Sequence, residues 1–187
     1  MHHRASRIAW RPASGTGHED VTLAVDDDGC VADGHICARE PAAFEVYYRI
    51  VTDPDWSTRS VTVVEASSKR SVDLHRDAHG TWTSDDGEPL AELEGALDVD
   101  LSATPFSNTL AIRRLDLAVG ESAEIVTAYV DVPSLEVLAD PQRYTRLSEE
   151  VYRYESLDSP FAADIVVDEL GLVREYPGLF TRAEGVH

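Results

Sequence analysis

Lysine is almost missing from this chain: Lys69 is the only one in 187 residues. Sixteen basic residues face 35 acidic ones, for a formal net charge of −19. A field of that sign repels phosphate backbones and anionic headgroups, so nucleic acid and acidic membrane surfaces are poor partners. The acids are spread along the whole length. That pattern reads as a solvated surface of the halophilic kind rather than a cation-binding face. No apolar stretch approaches the roughly 18 residues that a membrane helix needs. None follows the polar start Met1-His2-His3-Arg4 to act as a signal-peptide core, so the expected location is cytoplasmic.

Cysteine is scarce as well. The spacing of Cys30 and Cys37 matches neither a zinc ribbon nor a redox pair. Asp33-Gly34 between them reads as a two-residue hairpin turn that sets the two cysteines opposite each other. The expected compartment favours reduced, half-buried thiols over a bridge. There is no Gly-x-Ser-x-Gly elbow, and neither cysteine has a histidine near it in sequence to activate it. His75 and His79, with Asp77 between them, straddle a strand end and a turn, which reads as an exposed loop and not a metal site. Gly15-Thr16-Gly17 has no apparent strand before it and reads as a flexible loop, not a nucleotide fingerprint. Neither metal nor cofactor is expected.

What is present is alternation. Phe44, Val46, Tyr48 and Ile50 share one face, and Glu45, Tyr47 and Arg49 the other. Val61 and Val63, Val72 and Leu74, Leu97 to Leu101, and Ile165 and Val167 repeat the pattern. Ile125 to Val132 is apolar on both sides, which suggests a central strand. Short turn signals such as Asp53-Pro54-Asp55, Asp86-Gly87 and Leu170-Gly171 separate these runs. Tyr144, Leu147, Val151 and Tyr154 also fit a helix face, but the same stretch alternates as a hairpin turning at Ser148-Glu149-Glu150. Pro105 to Leu110 reads as a short helical turn. The sum is an all-β, mainly antiparallel protein with one or two short helical turns. A single domain spans 1–187, with 1–18 the least patterned segment.

Three stretches carry a resemblance. Asp98-Val99-Asp100-Leu101-Ser102-Ala103-Thr104-Pro105-Phe106 continues through Ser107 to Arg113-Arg114-Leu115. Gln142-Arg143-Tyr144-Thr145-Arg146-Leu147 and Gly171-Leu172-Val173-Arg174-Glu175-Tyr176-Pro177-Gly178-Leu179-Phe180 are the others. Together they resemble the glycolipid-binding family, a group of small bacterial and archaeal proteins. The chain departs from that pattern at Ala96, where cysteine is expected, and at Ala111, where proline is expected. The resemblance implies one long curved sheet forming a half-barrel, similar to the periplasmic lipoprotein carriers. Their concave faces hold acyl chains.

Rings interleaved with arginines suit a ligand with an apolar body and a polar head. The candidate ligand-binding residues are Trp56, Arg59, Asp100, Arg113, Tyr129, Tyr144, Tyr152 and Tyr154. Arg113, Tyr144 and Tyr152 are expected at a polar rim above an apolar wall of inner-face side chains. Arg113 and Arg114 are expected on opposite faces of a returning strand, Arg114 pairing with acids outside. Asp98 and Asp100 share a face and suit acid–base work on a glycoside. The structural alternative has Asp100 capping the next turn or bonding Arg113. The leading reading is a non-enzymatic binder of a lipid or glycolipid. An enzyme using Asp98 or Asp100, or an interaction module, are the others. An open sheet has two edges to protect, and a homodimer would protect them.

Counterions relieve self-repulsion at a charge of −19. The melting temperature is therefore expected to rise markedly between low and molar potassium chloride. An unchanged or lower midpoint would dispose of the halophilic reading.

Overall fold

The computed structural model describes residues 4–40 and 42–183. The first half of the chain supplies β1 (Arg4–Pro12), β2 (Gly17–Asp26), β3 (Gly29–Ala38), β4 (Phe44–Thr52), β5 (Thr58–Glu65), β6 (Ser71–Arg76) and β7 (Trp82–Ser84). After a 3-10 turn at Ala91–Leu93 come β8 (Asp98–Leu101) and the helix α1 (Phe106–Leu115). The rest is β9 (Ser122–Val130), β10 (Val137–Arg146), β11 (Val151–Ser156), β12 (Ala162–Val167), β13 (Val173–Tyr176) and β14 (Phe180–Arg182). All fourteen strands form one sheet, ordered β7-β6-β5-β4-β3-β2-β1-β14-β13-β12-β11-β10-β9-β8. Two meanders thus meet at β1 and β14, with Trp10 opposite Arg182. The expected alternations in β4, β5 and β12 and the turn at Ser148-Glu149-Glu150 are all present.

The sheet curls without closing into a barrel. Thr58 N–H donates to Leu97 O (2.8 Å), and its Oγ1 accepts from Val99 N–H (3.0 Å), so the free side of β8 meets the start of β5. Trp82 Nε1, on the opposite edge strand, donates to Ala96 O at 2.9 Å. Both edge strands are short, which leaves little unpaired backbone to recruit another chain.

The helix is longer than the sequence suggests. Ile112 to Leu115 continue α1 and do not return as a strand. Strand β8 pairs with β9 in parallel, and a parallel pair needs a crossover. Asp116 ends the helix in the left-handed region at φ 42° and bonds Ile112 O. Phe106 through Ile112 are buried without a break, so the helix meets solvent only in its last turn. Phe106 and Leu110 join the larger core with Trp10, Tyr48, Ile50 and Leu101. Ala111 and Ile112 join a second core with Tyr144, Tyr152, Ile165 and Val173. Helix α1 thus contributes side chains to both cores.

Other expectations are also corrected. From Arg4 on, the unpatterned N-terminal segment is a central strand. Trp10 is fully buried and donates to Val173 O at 2.8 Å. Residues 1–3, including His2 and His3, lie outside the described residues. A strand does precede Gly15-Thr16-Gly17, but the turn leads into another strand and not a helix, so no phosphate cradle forms. Strand β9 is next to the edge, not central. Ala128 and Val130 face the larger core, while Thr127 on the other face meets the Gln142 amide at 3.3 Å.

Asp33-Gly34 is no turn, for β3 runs straight through it. Cys30 pairs with Val25 and Cys37 with His18, so the two thiols are not opposite each other. Gly34 lies opposite Tyr48, where a Cβ would sit 2.0 Å from the ring's Cζ. The glycine marks a close approach. The Tyr48 ring crosses the β3 backbone at Gly34 and its hydroxyl donates to Glu19 Oε1 on β2 at 2.7 Å.

Gly34→Ala is accordingly expected to destabilise by about 1–3 kcal/mol through overpacking. Most of that loss should vanish in a Tyr48→Ala background. A denaturant double-mutant cycle measures the coupling, and additive effects would refute the stacking argument.

Candidate functional site

Consecutive residues on a helix point about 100° apart, and the last turn of α1 uses this to send two arginines to different places. Arg114 turns inward. Its Nε donates to Asp98 Oδ1 and Oδ2 at 2.8 and 3.0 Å, and its second nitrogen to Oδ2 at 2.6 Å. Asp98 is fully buried. Burial pushes its carboxyl up, and the Arg114 guanidinium pulls it back. This corrects the expectation that Arg114 pairs with acids outside.

Arg113 turns toward the surface. Its guanidinium carbon lies 4.7 Å from the centre of the Trp56 ring, a cation–π distance. Trp56 is held in the tight turn between β4 and β5 at φ 71°, its N–H bonded to Asp53 O. Gly171, at φ +74°, lets the Arg113 stem lie along the β12–β13 turn, where a Cβ would come 3.1 Å from Arg113 Cδ. Among the described residues the one acceptor for Arg113 is Leu170 O, at a long 3.5 Å. No carboxylate among the described residues pairs with this guanidinium.

Two clefts meet at Arg113. The polar one, about 380 Å³, has Arg113, Asp116, Arg146, Glu149, Tyr152, Asp168 and Glu169 in its wall. The apolar one, about 260 Å³, is walled by Ser6, Leu23, Val25, Trp56, Leu170 and Leu172 on the other side of Arg113. Val25 and Leu170 are 42% and 56% exposed, unusual for large apolar side chains. In the polar cleft Arg146 is spent on the carbonyls of Leu117, Ser148 and Glu149, and its guanidinium lies 5.4 Å from the Tyr152 ring centre. Burial raises the Tyr152 hydroxyl and Arg146 lowers it, with a net rise. Asp168 bonds Arg182 at 2.7 Å.

Of the candidate residues, Trp56, Arg113 and Tyr152 line these clefts. Arg59 does not; it is held by Asp53 at 2.7 and 2.9 Å, beneath the turn that carries Trp56. Tyr144 is fully buried and sits at no rim; its hydroxyl accepts from Asn108 Nδ2 of α1 at 2.8 Å. Tyr154 packs edge-on against it at 5.5 Å. Asp100 is held by Gln142 Nε2 at 2.7 Å, and neither by Arg113 nor as a cap. The same amide nitrogen donates to Asp140 at 2.6 Å. Burial raises the Asp100 carboxyl to about 6, against the pull of Gln142. Half-buried Tyr129 pairs with Asp100 across the parallel ladder. Neither Asp98 nor Asp100 lines either cleft, so both carboxyls serve the interior. Sequence reasoning missed Leu23, Val25, Leu170 and Leu172. The exposed turn Leu170-Gly171, at the start of one of the resembling stretches, was the available signal.

A family model described as "Putative glycolipid-binding" matches residues 7–182. The crystal structure of a DUF1089 family protein from Pseudomonas aeruginosa is 38% identical, with 88% of this chain and 92% of that one covered, at a TM-score of 0.77. A β-barrel-like protein of DUF1849 from Brucella abortus is 11% identical over 96% of this chain and 93% of that one, at a TM-score of 0.49. That distance gives it no bearing on function. No curated protein matches the chain.

The two arginines should separate in stability. Arg114→Met strands the buried Asp98 charge and is expected to cost roughly 3 kcal/mol or more. Arg113→Met removes an exposed contact and should cost under about 1 kcal/mol. Urea unfolding of both variants checks this; equal losses would refute the division of roles.

Proposed function

The chain belongs to the glycolipid-binding family, and from that premise we propose that it binds an amphipathic molecule in the paired clefts at the C-terminal end of α1. The apolar part lies against Trp56, Leu23, Val25 and Leu172. The head enters the polar cleft beside Tyr152. Arg113 stands where the two meet, and it carries the reading: it walls both clefts and its donors are almost unused. A guanidinium offers five N–H donors in a fixed fork.

The chemistry of the polar cleft favours a glycosyl head over a phosphate. Asp116, Glu149, Asp168 and Glu169 outnumber Arg113 and Arg146 there. Carboxylates accept hydrogen bonds from sugar hydroxyls and repel an anion. The candidate acids Asp98 and Asp100 are engaged elsewhere, in keeping with binding and not turnover.

Octyl glucoside and octyl phosphate, each below its micelle concentration, are suitable calorimetric probes. Octyl glucoside should bind, and octyl phosphate should bind more weakly. Arg113→Met and Trp56→Ala should each weaken octyl glucoside by roughly tenfold, about one lost hydrogen bond or stacked contact. The reading fails if both variants bind as the wild type does.

A further inference from the structure

A separate pocket lies at the other end of α1, beside Ala103 and Ser102 where the chain enters the helix. It is about 230 Å³ in volume, and Trp10, Pro12, Ile36, Phe44, Val132 and Phe180 make its wall mostly apolar. It shares no wall residue with the clefts at Arg113. Two carboxyls line it, and one of them is buried: Glu40 is exposed, whereas Glu19 of β2 is only 2% exposed. Glu19 Oε1 accepts the Tyr48 hydroxyl at 2.7 Å. Its Oε2 is buried with no hydrogen-bond partner among the described residues. A buried polar oxygen left unpaired costs free energy, and a ligand that pairs with it recovers that cost.

We propose that this pocket binds a small uncharged apolar molecule bearing a carbonyl group, a medium-chain ketone or ester, whose oxygen meets Glu19 Oε2. Size and charge select the class. The volume is below that of pockets for drug-sized ligands, so a short chain fits. The pocket offers an anion no free cation. His18 at its rim leans to Asp20 at 3.6 Å, and Glu40 adds negative charge. Burial raises Glu19 to about 8, partly offset by Thr104 and Tyr48 and helped upward by Asp20. Near neutral pH Glu19 is therefore a neutral acid that can donate from Oε2 while Oε1 accepts from Tyr48. Above about pH 8 it becomes a carboxylate with no proton to offer a carbonyl. The other ionisable groups near it are His18, Cys37 and Glu40 in the pocket wall, Asp20 next to it on β2, and Tyr48. Burial holds Tyr48 well above its ordinary range.

Calorimetry with 2-octanone at pH 6.5 and 9.5 tests the proposal, with amide NMR shifts at pH 6.5 locating the site. Wild type should bind at pH 6.5, with shifts at Glu19, Ile36 and Phe44, and roughly tenfold more weakly at pH 9.5. Glu19→Gln, which keeps a donor, should bind at both pH values alike. That also removes His18 and Cys37 as the source of the pH effect, since the variant retains both. Glu19→Leu, with its fold checked by the same spectra, should bind roughly tenfold more weakly at pH 6.5. Arg113→Met should leave 2-octanone binding unchanged, so failure here is distinct from failure at the other clefts. The proposal is overturned if 2-octanone does not bind up to its solubility limit or shifts only residues around Arg113. It is equally overturned if wild-type binding ignores pH or Glu19→Leu binds normally.

Discussion

The ion pair between Arg114 and Asp98 decides where the end of the helix can be. It ties the last turn of α1 to edge strand β8 by three charge-assisted hydrogen bonds. With the inward arginine fixed, the helical rotation per residue leaves its neighbour one direction, across Trp56 and into the space between the two clefts. The geometry of the two clefts is thus set by a contact that lies outside their walls. A largely buried pair of this kind adds little net stability. What it supplies is position.

The interior holds several acids, and each is made tolerable differently. Asp98 has a guanidinium. Asp100 and Asp140 share one Gln142 amide nitrogen. Glu65 accepts from the backbone and hydroxyls of Ser67 and Ser68, which lower it to about 2. Glu19 alone has neither cation nor amide, and it stays protonated instead. With 16 basic residues to 35 acids, the chain uses such devices where acids are buried.

The strands were legible because a half-buried strand writes its two faces into alternate residues, as in Phe44 to Ile50. The helix was not. Its buried face includes Ser107, Asn108 and Thr109, polar residues that are acceptable inside because Leu101 N–H and Tyr144 supply partners for the first two. Tyr144 is 36 residues away in sequence, so no local pattern announces it. Gly34 misled for the same reason, since the ring that needs its bare backbone comes from Tyr48. In the candidate site, Trp56, Arg113 and Tyr152 were visible as types that suit an amphipathic ligand. The leucines that join them were hidden as ordinary turn and strand residues.

The seam between β1 and β14 has a consequence for assembly. The N-terminal meander pairs each strand with its predecessor, and such local contacts form early. Strand β14 is made after everything that separates it from β1, yet its place is in the middle of the sheet. Ribosomal synthesis therefore yields one finished half and one incomplete half, with β1 exposing an unpaired edge until β14 arrives. Among the described residues three ladder pairs, Trp10 to Pro12 with Phe180 to Arg182, then close that gap, flanked by Ala13 N–H to Leu179 O and Ala183 N–H to Ala9 O. The nascent chain is most exposed to mispairing at its centre, and a chaperone that shields Arg4–Pro12 during synthesis would protect the whole sheet.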